Sequence, residues 1–229
     1  LETARRLGID DTFVFEDPTR GWKISRFIPD SRQPDPHNPE QLARMMRMGR
    51  ELHESGATVE RKFDFYEEAK RYERLLLEKG PIDIPGYAEM AEKVDRLEAY
   101  VRSDGAPTCL CHNDFFFMNF LVDGDDKYYL IDWEYAGMGD YANDFGTFVV
   151  CCELDETEAR TALEAYFGRV PTPEEVRHNF AHVQLAGWCW YLWSLLKESE
   201  GDFVGEWLYI YFRYAAEYLD KTLSLYETE

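Results

Sequence analysis

Two short segments carry acidic and amide side chains at a spacing suited to phosphoryl transfer. Asp114 is followed five residues later by Asn119, and Asp132 comes thirteen residues after Asn119. Phosphoryl transfer needs one carboxylate to hold and deprotonate the acceptor hydroxyl, and further oxygen ligands to hold Mg²⁺ against the triphosphate. These three side chains supply those roles. In isolation, ordinary loop and strand-end positions would explain them equally well, but their joint spacing favours the chemistry.

A β-hairpin is predicted to position the amide and the second acid. Apolar runs at residues 118–122 and 127–131 flank an Asp-Gly-Asp-Asp turn, which is a hairpin pattern. Asn119 would lie near the start of the first strand, and Asp132 just past the end of the second. Both side chains are therefore expected to reach one metal ion.

The paired motifs resemble the signature of choline and ethanolamine kinases. They are His-Asn-Asp at 112–114 with Asn119, and Ile-Asp-Trp-Glu-Tyr at 131–135, and the resemblance extends over residues 21–220. The wider superfamily, which includes aminoglycoside phosphotransferases and is related in fold to protein kinases, shares the first motif but generally lacks the Glu-Tyr extension. The resemblance implies an ATP- and Mg²⁺-dependent phosphotransferase with an alcohol acceptor, in which Asp114 is the catalytic base that contacts the acceptor.

The same resemblance implies roles for residues around these motifs. Asn119 and Asp132 would be the Mg²⁺ ligands, and Tyr135 would line the acceptor pocket. Asp144 matches a structural aspartate that braces the catalytic loop, although a carboxylate favoured only by a helix N-terminus remains an equal alternative. His112 is similar to a histidine that packs beneath the loop, and we expect it to be structural.

A pair of tryptophans predicts a site for a cation. Trp190 and Trp193 are three residues apart and share one helix face. A quaternary ammonium donates no hydrogen bond, so π faces must hold it, at roughly 0.5 to 2 kcal/mol per ring. Plain core packing is the alternative, but choline kinases place a similar Trp-x-x-Trp pair in their choline cage. Trp207 and Tyr211 are candidates to close it.

The acceptor identity depends on the acidic residues near this cage. Cys151 stands in a region where eukaryotic choline kinases carry an acidic residue, and Glu153 is expected to substitute for it. Choline is the leading acceptor and ethanolamine the nearest competitor. An all-aromatic pocket would favour choline, whereas an acid-rich pocket would favour ethanolamine, whose ammonium donates hydrogen bonds. Two more functions stay open, namely an aminoglycoside-type phosphotransferase and a choline-binding pseudokinase without catalysis.

The N-terminal part resembles the hinge between the lobes of such kinases. Within residues 22–29, the carbonyl of Arg26 and the N–H of Ile28 would read the adenine edge, although an ordinary strand would look the same. The expected phosphate loop and lysine are not found, and Lys23 on the hinge strand is not expected to replace that lysine. We therefore expect a truncated chain in which residues 1–28 are a remnant of the N-terminal lobe and residues 29–229 form the helical lobe. Without the phosphate loop and lysine, this chain is expected to bind choline but to transfer phosphate only negligibly.

Local patterns predict an α+β, protein kinase-like fold that consists mainly of the helical C-terminal lobe. Residues 12–15 and 22–28 predict a hairpin, and helices are expected from Asn38 and at 63–79, 87–102, 173–199 and 203–226. Capping boxes at 155–158 and 172–175 mark two helix starts. In the first helix Gln41 is expected to close a similar box.

Charge and composition exclude several classes of partner. The net charge of −20 and the pI of about 4.6 disfavour nucleic acid and anionic membranes. The longest nearly apolar run, residues 183–196, is too short to span a bilayer. Five cysteines without paired zinc-site spacing indicate a reducing, cytoplasmic location. The oligomeric state stays open.

The histidines outside the motif are not expected to do chemistry. His178 and His182 form an i, i+4 pair that could bind a metal, but the sequence offers no third ligand beside them. His53 is assigned only to the first helix. Structural roles are therefore favoured for all three.

Overall fold

Helical periodicity in the sequence produces eight α-helices within residues 2–17 and 19–228, which the computed structural model describes. Helices dominate the chain after residue 38, as the sequence predicts. The helices are α1 (Glu2–Arg6), α2 (Pro39–His53), α3 (Phe65–Lys79), α4 (Tyr87–Ser103), α5 (Ala142–Cys151), α6 (Glu156–Phe167), α7 (Pro173–Glu200) and α8 (Trp207–Glu227).

Capping residues fix the starts of several helices. Both predicted capping boxes, at 155–158 and 172–175, are formed and begin α6 and α7. Asn38 caps α2 by accepting hydrogen bonds from the N–H groups of its first turn. The expectation for Gln41 was wrong, because its side-chain oxygen accepts from the backbone N–H of Asp35 (2.9 Å) rather than closing a box. That bond ties the preceding connector to α2.

Six short strands in the described part of the chain form three two-stranded antiparallel sheets. The two predicted hairpins are present as β1 with β2 and β4 with β5. The third strand pairs with a strand that the sequence did not predict, since it is rich in glycine. The strands are β1 (Phe13–Asp17), β2 (Trp22–Ser25), β3 (Thr108–Cys111), β4 (Phe120–Val122), β5 (Tyr128–Leu130) and β6 (Gly137–Asp140), with β3 paired to β6.

Helix α7 runs through the centre of the core and packs against α3, α5 and α8. Most of its side chains are buried, so it is apolar on nearly every face, as expected of a central helix. Two glycines allow close approach of its neighbours. A Cβ on Gly146 of α5 would lie 2.3 Å from the carbonyl oxygen of His182, and one on Gly187 would lie 2.8 Å from the backbone nitrogen of Ala215 in α8.

Within residues 2–17 and 19–228, no helix combines the length and the apolar character that crossing a bilayer requires.

Candidate active site

The loop between β3 and β4, residues 112–119, carries the first motif and is called the HND loop below. Within it, the side-chain amide of Asn119 donates to the Oδ2 and to the backbone carbonyl of Asp114, both at 2.8 Å. Burial raises the pKa of Asp114 to about 6, with the nearby charge of Asp132 adding to the rise and the bond from Asn119 opposing it. The loop thus presents an oriented carboxylate that ionises just below neutral pH.

The β4–β5 hairpin brings the second acid to the same end as the amide. The N–H of Ile131 donates to the carbonyl of Asn119 (2.9 Å), so these residues form a rung of the hairpin, and Asp132 follows directly. Asp132 adopts the left-handed conformation (φ 66°, ψ 66°), which is uncommon for a residue with a Cβ. The chain therefore turns sharply at the position of the second carboxylate.

The carboxylate of Asp144, in α5, holds the backbone of the HND loop. It is almost fully buried and accepts from the N–H of His112 at Oδ2 (2.9 Å) and from the N–H of Asn113 at Oδ1 (2.6 Å). Asn113 lies at φ 64°, so two aligned acceptors help to fix a conformation that few side chains favour. Asp144 thus acts on the loop backbone as well as at the start of its helix.

A third donor to Asp144 comes from α2. The Nε2 of His53 lies 2.9 Å from Asp144 Oδ2, and its Nδ1 lies 2.8 Å from the hydroxyl of Tyr166 in α6. Burial lowers the pKa of His53, but the bond to Asp144 and its charge more than offset this, so the net pKa is raised. No local pattern in the sequence indicates this contact, because 91 residues separate the two partners.

His112 connects the HND loop to the segment that carries Asp132. It is fully buried, and its Nε2 donates to the carbonyl of Ile131 (2.9 Å). Its ring packs edge-on against Trp133, with centroids 4.8 Å apart. Burial lowers the pKa of His112. A neutral, packed imidazole therefore joins the two motifs.

The residues predicted to contact the acceptor line one cavity of about 490 Å³, called the aromatic cavity below. The predicted members are Asp114, Tyr135, Trp190, Trp193, Trp207 and Tyr211, and the cavity brings all six together. The remaining lining residues are Phe116, Met118, Glu134, Cys151, Phe203 and Val204.

The rings of the aromatic cavity include both edge-to-face and stacked pairs. Trp190 lies at nearly right angles to Tyr135 (5.5 Å between centroids) and to Trp193 (6.1 Å). Trp207 stacks on Tyr211 at 5.7 Å. Trp190 is only 5% exposed, whereas Trp193 and Trp207 are half-buried. Trp190 therefore also belongs to the core, and the half-buried rings keep faces free for a ligand.

The acidic group of this cavity is not the one that the sequence suggested. Glu134 lines the cavity, whereas Glu153 forms an ion pair with Arg213 (2.9 Å) and is not among the lining residues. Cys151 does line it as a buried thiol whose pKa is raised by burial. The signal for Glu134 was present in the Glu-Tyr extension of the second motif.

The predicted adenine-binding residues lie beside the predicted metal ligand. Arg26 and Ile28 line a separate cavity of about 350 Å³, called the hinge cavity below, together with Asp132. Lys23, which was not expected to replace the phosphate-binding lysine, lines the same cavity. A nucleotide bound in the hinge cavity would therefore lie beside the ammonium of Lys23 and the carboxylate of Asp132.

Comparisons with known proteins agree with this geometry. Residues 20–178 match the model of the phosphotransferase enzyme family. The protein LicA of Haemophilus influenzae is 26% identical over 238 residues, covering 98% of this chain and 84% of LicA. The crystal structure of LicA in complex with AMP has a TM-score of 0.83 at 24% identity and covers 97% of this chain and 77% of that one. The crystal structure of choline kinase LicA from Streptococcus pneumoniae has a TM-score of 0.83 at 24% identity and covers 96% of this chain and 78% of that one.

These similarities confirm the predicted α+β, protein kinase-like fold over nearly the whole chain. The family model alone matches well over half of the residues, and it includes the HND loop, the β4–β5 hairpin and Asp144. The chain therefore belongs to the phosphotransferase enzyme family.

Proposed function

We propose that this protein is a choline kinase-like enzyme that transfers the γ-phosphate of ATP to the hydroxyl of choline. The observation that carries the proposal is that Asp114 lies in the wall of a cavity otherwise lined mainly by aromatic rings. A base and a cation cage in one cavity suit an acceptor that carries both a hydroxyl and a quaternary ammonium. The similarity to LicA, named a choline kinase in Streptococcus pneumoniae, supports this acceptor.

Asp114 is the proposed base. With a pKa of about 6 it is ionised at neutral pH, yet basic enough to accept the proton of the hydroxyl as the oxygen attacks. The amide of Asn119 holds Oδ2, and therefore leaves Oδ1 to face the acceptor. The residue thus positions the nucleophilic oxygen as well as deprotonating it.

Asn119 and Asp132 fit the proposed Mg²⁺ site by their donor atoms. The side-chain nitrogen of Asn119 is directed at Asp114, which leaves its oxygen free to face a cation. An amide oxygen and a carboxylate are ligands that Mg²⁺ accepts, together with water and phosphate oxygens. Mg²⁺ bound there would neutralise charge on the phosphates.

The hinge cavity is the proposed ATP site. Arg26 and Ile28 would offer backbone groups to the adenine, and Lys23 would offer an ammonium to the phosphates. The AMP in the LicA complex supports nucleotide binding by this fold. Asp132 belongs to the wall of this cavity, as a metal ligand that meets the phosphates would require.

The aromatic cavity is the proposed choline site. Its rings offer π faces to the trimethylammonium group, and Glu134 adds negative charge without requiring a hydrogen bond. Ethanolamine is the second candidate, because its ammonium could donate directly to Glu134. Among the described residues that line this cavity, Asp114 and Glu134 are the only carboxylates, which is few for an aminoglycoside with several ammonium groups.

The cysteines support a reducing compartment. All five, each within the described residues, are free thiols, and the sulfurs of Cys109 and Cys111 lie 3.7 Å apart, far longer than a disulfide bond. Unpaired thiols persist where glutathione keeps them reduced. We therefore infer a cytoplasmic location, where ATP is also available.

A phosphotransfer assay with labelled ATP, carried out on the full-length protein, tests the proposal. Choline, ethanolamine and an aminoglycoside are offered as acceptors at equal concentration, with and without Mg²⁺. We expect Mg²⁺-dependent phosphocholine formation, with a higher kcat/KM for choline than for the other two. In the matched variant Asp114→Asn, turnover should fall by about 10²-fold or more while choline affinity changes only a few-fold.

The assay also separates the competing functions. Preference for the aminoglycoside would refute the acceptor assignment and retain the kinase. Choline binding without turnover for any acceptor would indicate a binding protein. Wild-type-like turnover in Asp114→Asn would remove this residue from the mechanism.

A further inference from the structure

A buried cluster of two histidines and one aspartate lies outside both the aromatic cavity and the hinge cavity. The sequence suggested no third ligand beside His178 and His182, but the fold supplies Asp140, the last residue of β6. The Nε2 of His178 lies 3.1 Å from both Asp140 carboxylate oxygens, and that of His182 lies 3.7 Å from Oδ2. Both histidine side chains are at most 5% exposed.

The other ring nitrogen of each histidine has an acceptor. Nδ1 of His178 lies 2.9 Å from Oδ2 of Asp104, and Nδ1 of His182 lies 3.0 Å from the backbone carbonyl of His178. With the Nδ1 protons directed at these acceptors, the Nε2 lone pairs point toward Asp140. Metal-binding histidines are commonly oriented in this way, by a carboxylate or a carbonyl at the second nitrogen.

The distances suit a metal ion better than hydrogen bonds alone. A protonated His178 could bridge Asp104 and Asp140, but that arrangement leaves His182 at 3.7 Å, too long for a hydrogen bond. Tetrahedral zinc with bonds of about 2.0 to 2.2 Å separates neighbouring ligand atoms by about 3.3 Å. The two nitrogen-to-oxygen distances, 3.1 and 3.7 Å, lie on either side of that value.

We propose that Asp140, His178 and His182 bind a divalent transition-metal ion, Zn²⁺ by preference, separate from the Mg²⁺ of the phosphotransfer reaction. Imidazole nitrogen suits zinc and its neighbours, whereas oxygen donors alone suit magnesium. Two open cavities meet at the cluster, one of about 340 Å³ lined by Asp140 and His182, and one of about 820 Å³ lined by His178. Water from either one completes four-coordination.

The ion would join β6 and α5 to α7. The Oδ1 of Asp140 accepts from the N–H of Ala142 (2.9 Å), at the start of α5, and Asp144 follows one turn later. Fixing Asp140 to two side chains of α7 therefore also fixes the helix that holds the HND loop. We assign the ion a structural role, with no part in the reaction.

Zinc titration of chelator-treated, dialysed protein tests the site. Calorimetry is done without nucleotide and with excess Mg²⁺, which occupies the oxygen ligands Asn119 and Asp132. We expect one Zn²⁺ per chain and a higher Tm with zinc than without it. His182→Gln should weaken binding at least 10-fold, and His37→Gln, at an exposed histidine paired with Glu158, should leave it unchanged.

Cobalt distinguishes this cluster from a second one formed by His53, Cys109 and Cys111. Co²⁺ on the proposed ligands gives tetrahedral d–d bands without sulfur-to-cobalt charge transfer, and Cys109→Ser does not change them. A thiolate band, loss of binding in Cys109→Ser, or no bound metal would each overturn the proposal. If His182→Gln does not fold, the Co²⁺ spectrum of the wild-type protein decides alone.

Discussion

Replacing Asp144 by asparagine should reduce the free energy of unfolding by about 3 to 5 kcal/mol. The carboxylate accepts from two backbone N–H groups of the HND loop and from His53, and it is 1% exposed. Asparagine keeps one acceptor oxygen, and its NH₂ group would face a donor. Hydrogen bonds to charged groups contribute about 1.5 to 3 kcal/mol each, and breaking a buried ion pair typically costs about 3 to 5 kcal/mol.

Urea denaturation at pH 6 and pH 8 measures this loss. The matched control is Asp155→Asn, the same chemical change at the N-cap of α6, where asparagine caps about as well as aspartate. Because His53 has a raised folded pKa, the stability from its pair with Asp144 is fully present below the unfolded pKa near 6.5 and is lost as pH rises through the folded pKa. The cost of Asp144→Asn should therefore be larger at pH 6.

Two results would refute this reasoning. A loss below about 1 kcal/mol, or equal to that of Asp155→Asn, would mean that the three contacts contribute little. A cost that grows with pH would mean that His53 is not the titrating partner. In a double-mutant cycle with His53→Gln, a coupling energy near zero would lead to the same conclusion.

Three further changes test other parts of the structure. In calorimetric titrations, Trp193→Leu should weaken the binding of choline by roughly 1 to 2 kcal/mol. The binding of the neutral carbon isostere of choline should weaken by less, and equal losses for the two ligands would mean that the ring contributes packing alone. Gly187→Ala should cost about 1 to 3 kcal/mol in thermal unfolding, because the new Cβ lies 2.8 Å from the Ala215 nitrogen, and an unchanged Tm would contradict this contact. Burial raises the pKa of Glu98 to about 7 from 4.5. The stability that this one group contributes is therefore fully present below pH 4.5 and is lost as pH rises through about 7. Glu98→Gln should therefore stabilise the protein at pH 8 by about 1 to 3 kcal/mol and have little effect at pH 5, as urea denaturation would show, whereas equal effects at both pH values would assign them to the Arg102 contact.

Sequence reasoning succeeded for most local signals, the box expected at Gln41 being an exception. A capping box needs four consecutive residues, and the β4–β5 hairpin needs two short apolar runs and a turn, so both could be predicted from neighbours in the chain. Asn119 directly precedes β4, and Asp132 lies two residues beyond the end of β5. Their placement at one end of it was therefore predictable as well.

Features that depend on tertiary contact were missed. Strand β6 carries two glycines and has no strand pattern of its own, yet it pairs with β3. His53, the last residue of α2, meets Asp144 only because α2 packs against α6 and β3, and Asp140 reaches His178 only because β6 ends beside α7. Such pairs leave no periodic trace in a single sequence, since neither partner restricts the residues around the other.

The separate origin of the two cavities has an evolutionary consequence. The proposed Mg²⁺ ligands, Asn119 and Asp132, flank one hairpin, and the hydrogen bond from the Ile131 N–H to the Asn119 carbonyl sets their spacing. Half of the residues that line the aromatic cavity come from α7, α8 and the connection between them, far along the chain. Substitutions at positions such as 193 and 207 can thus alter which alcohol is accepted without disturbing the phosphate machinery, so one catalytic module can be retargeted to new acceptors by changes on two helices.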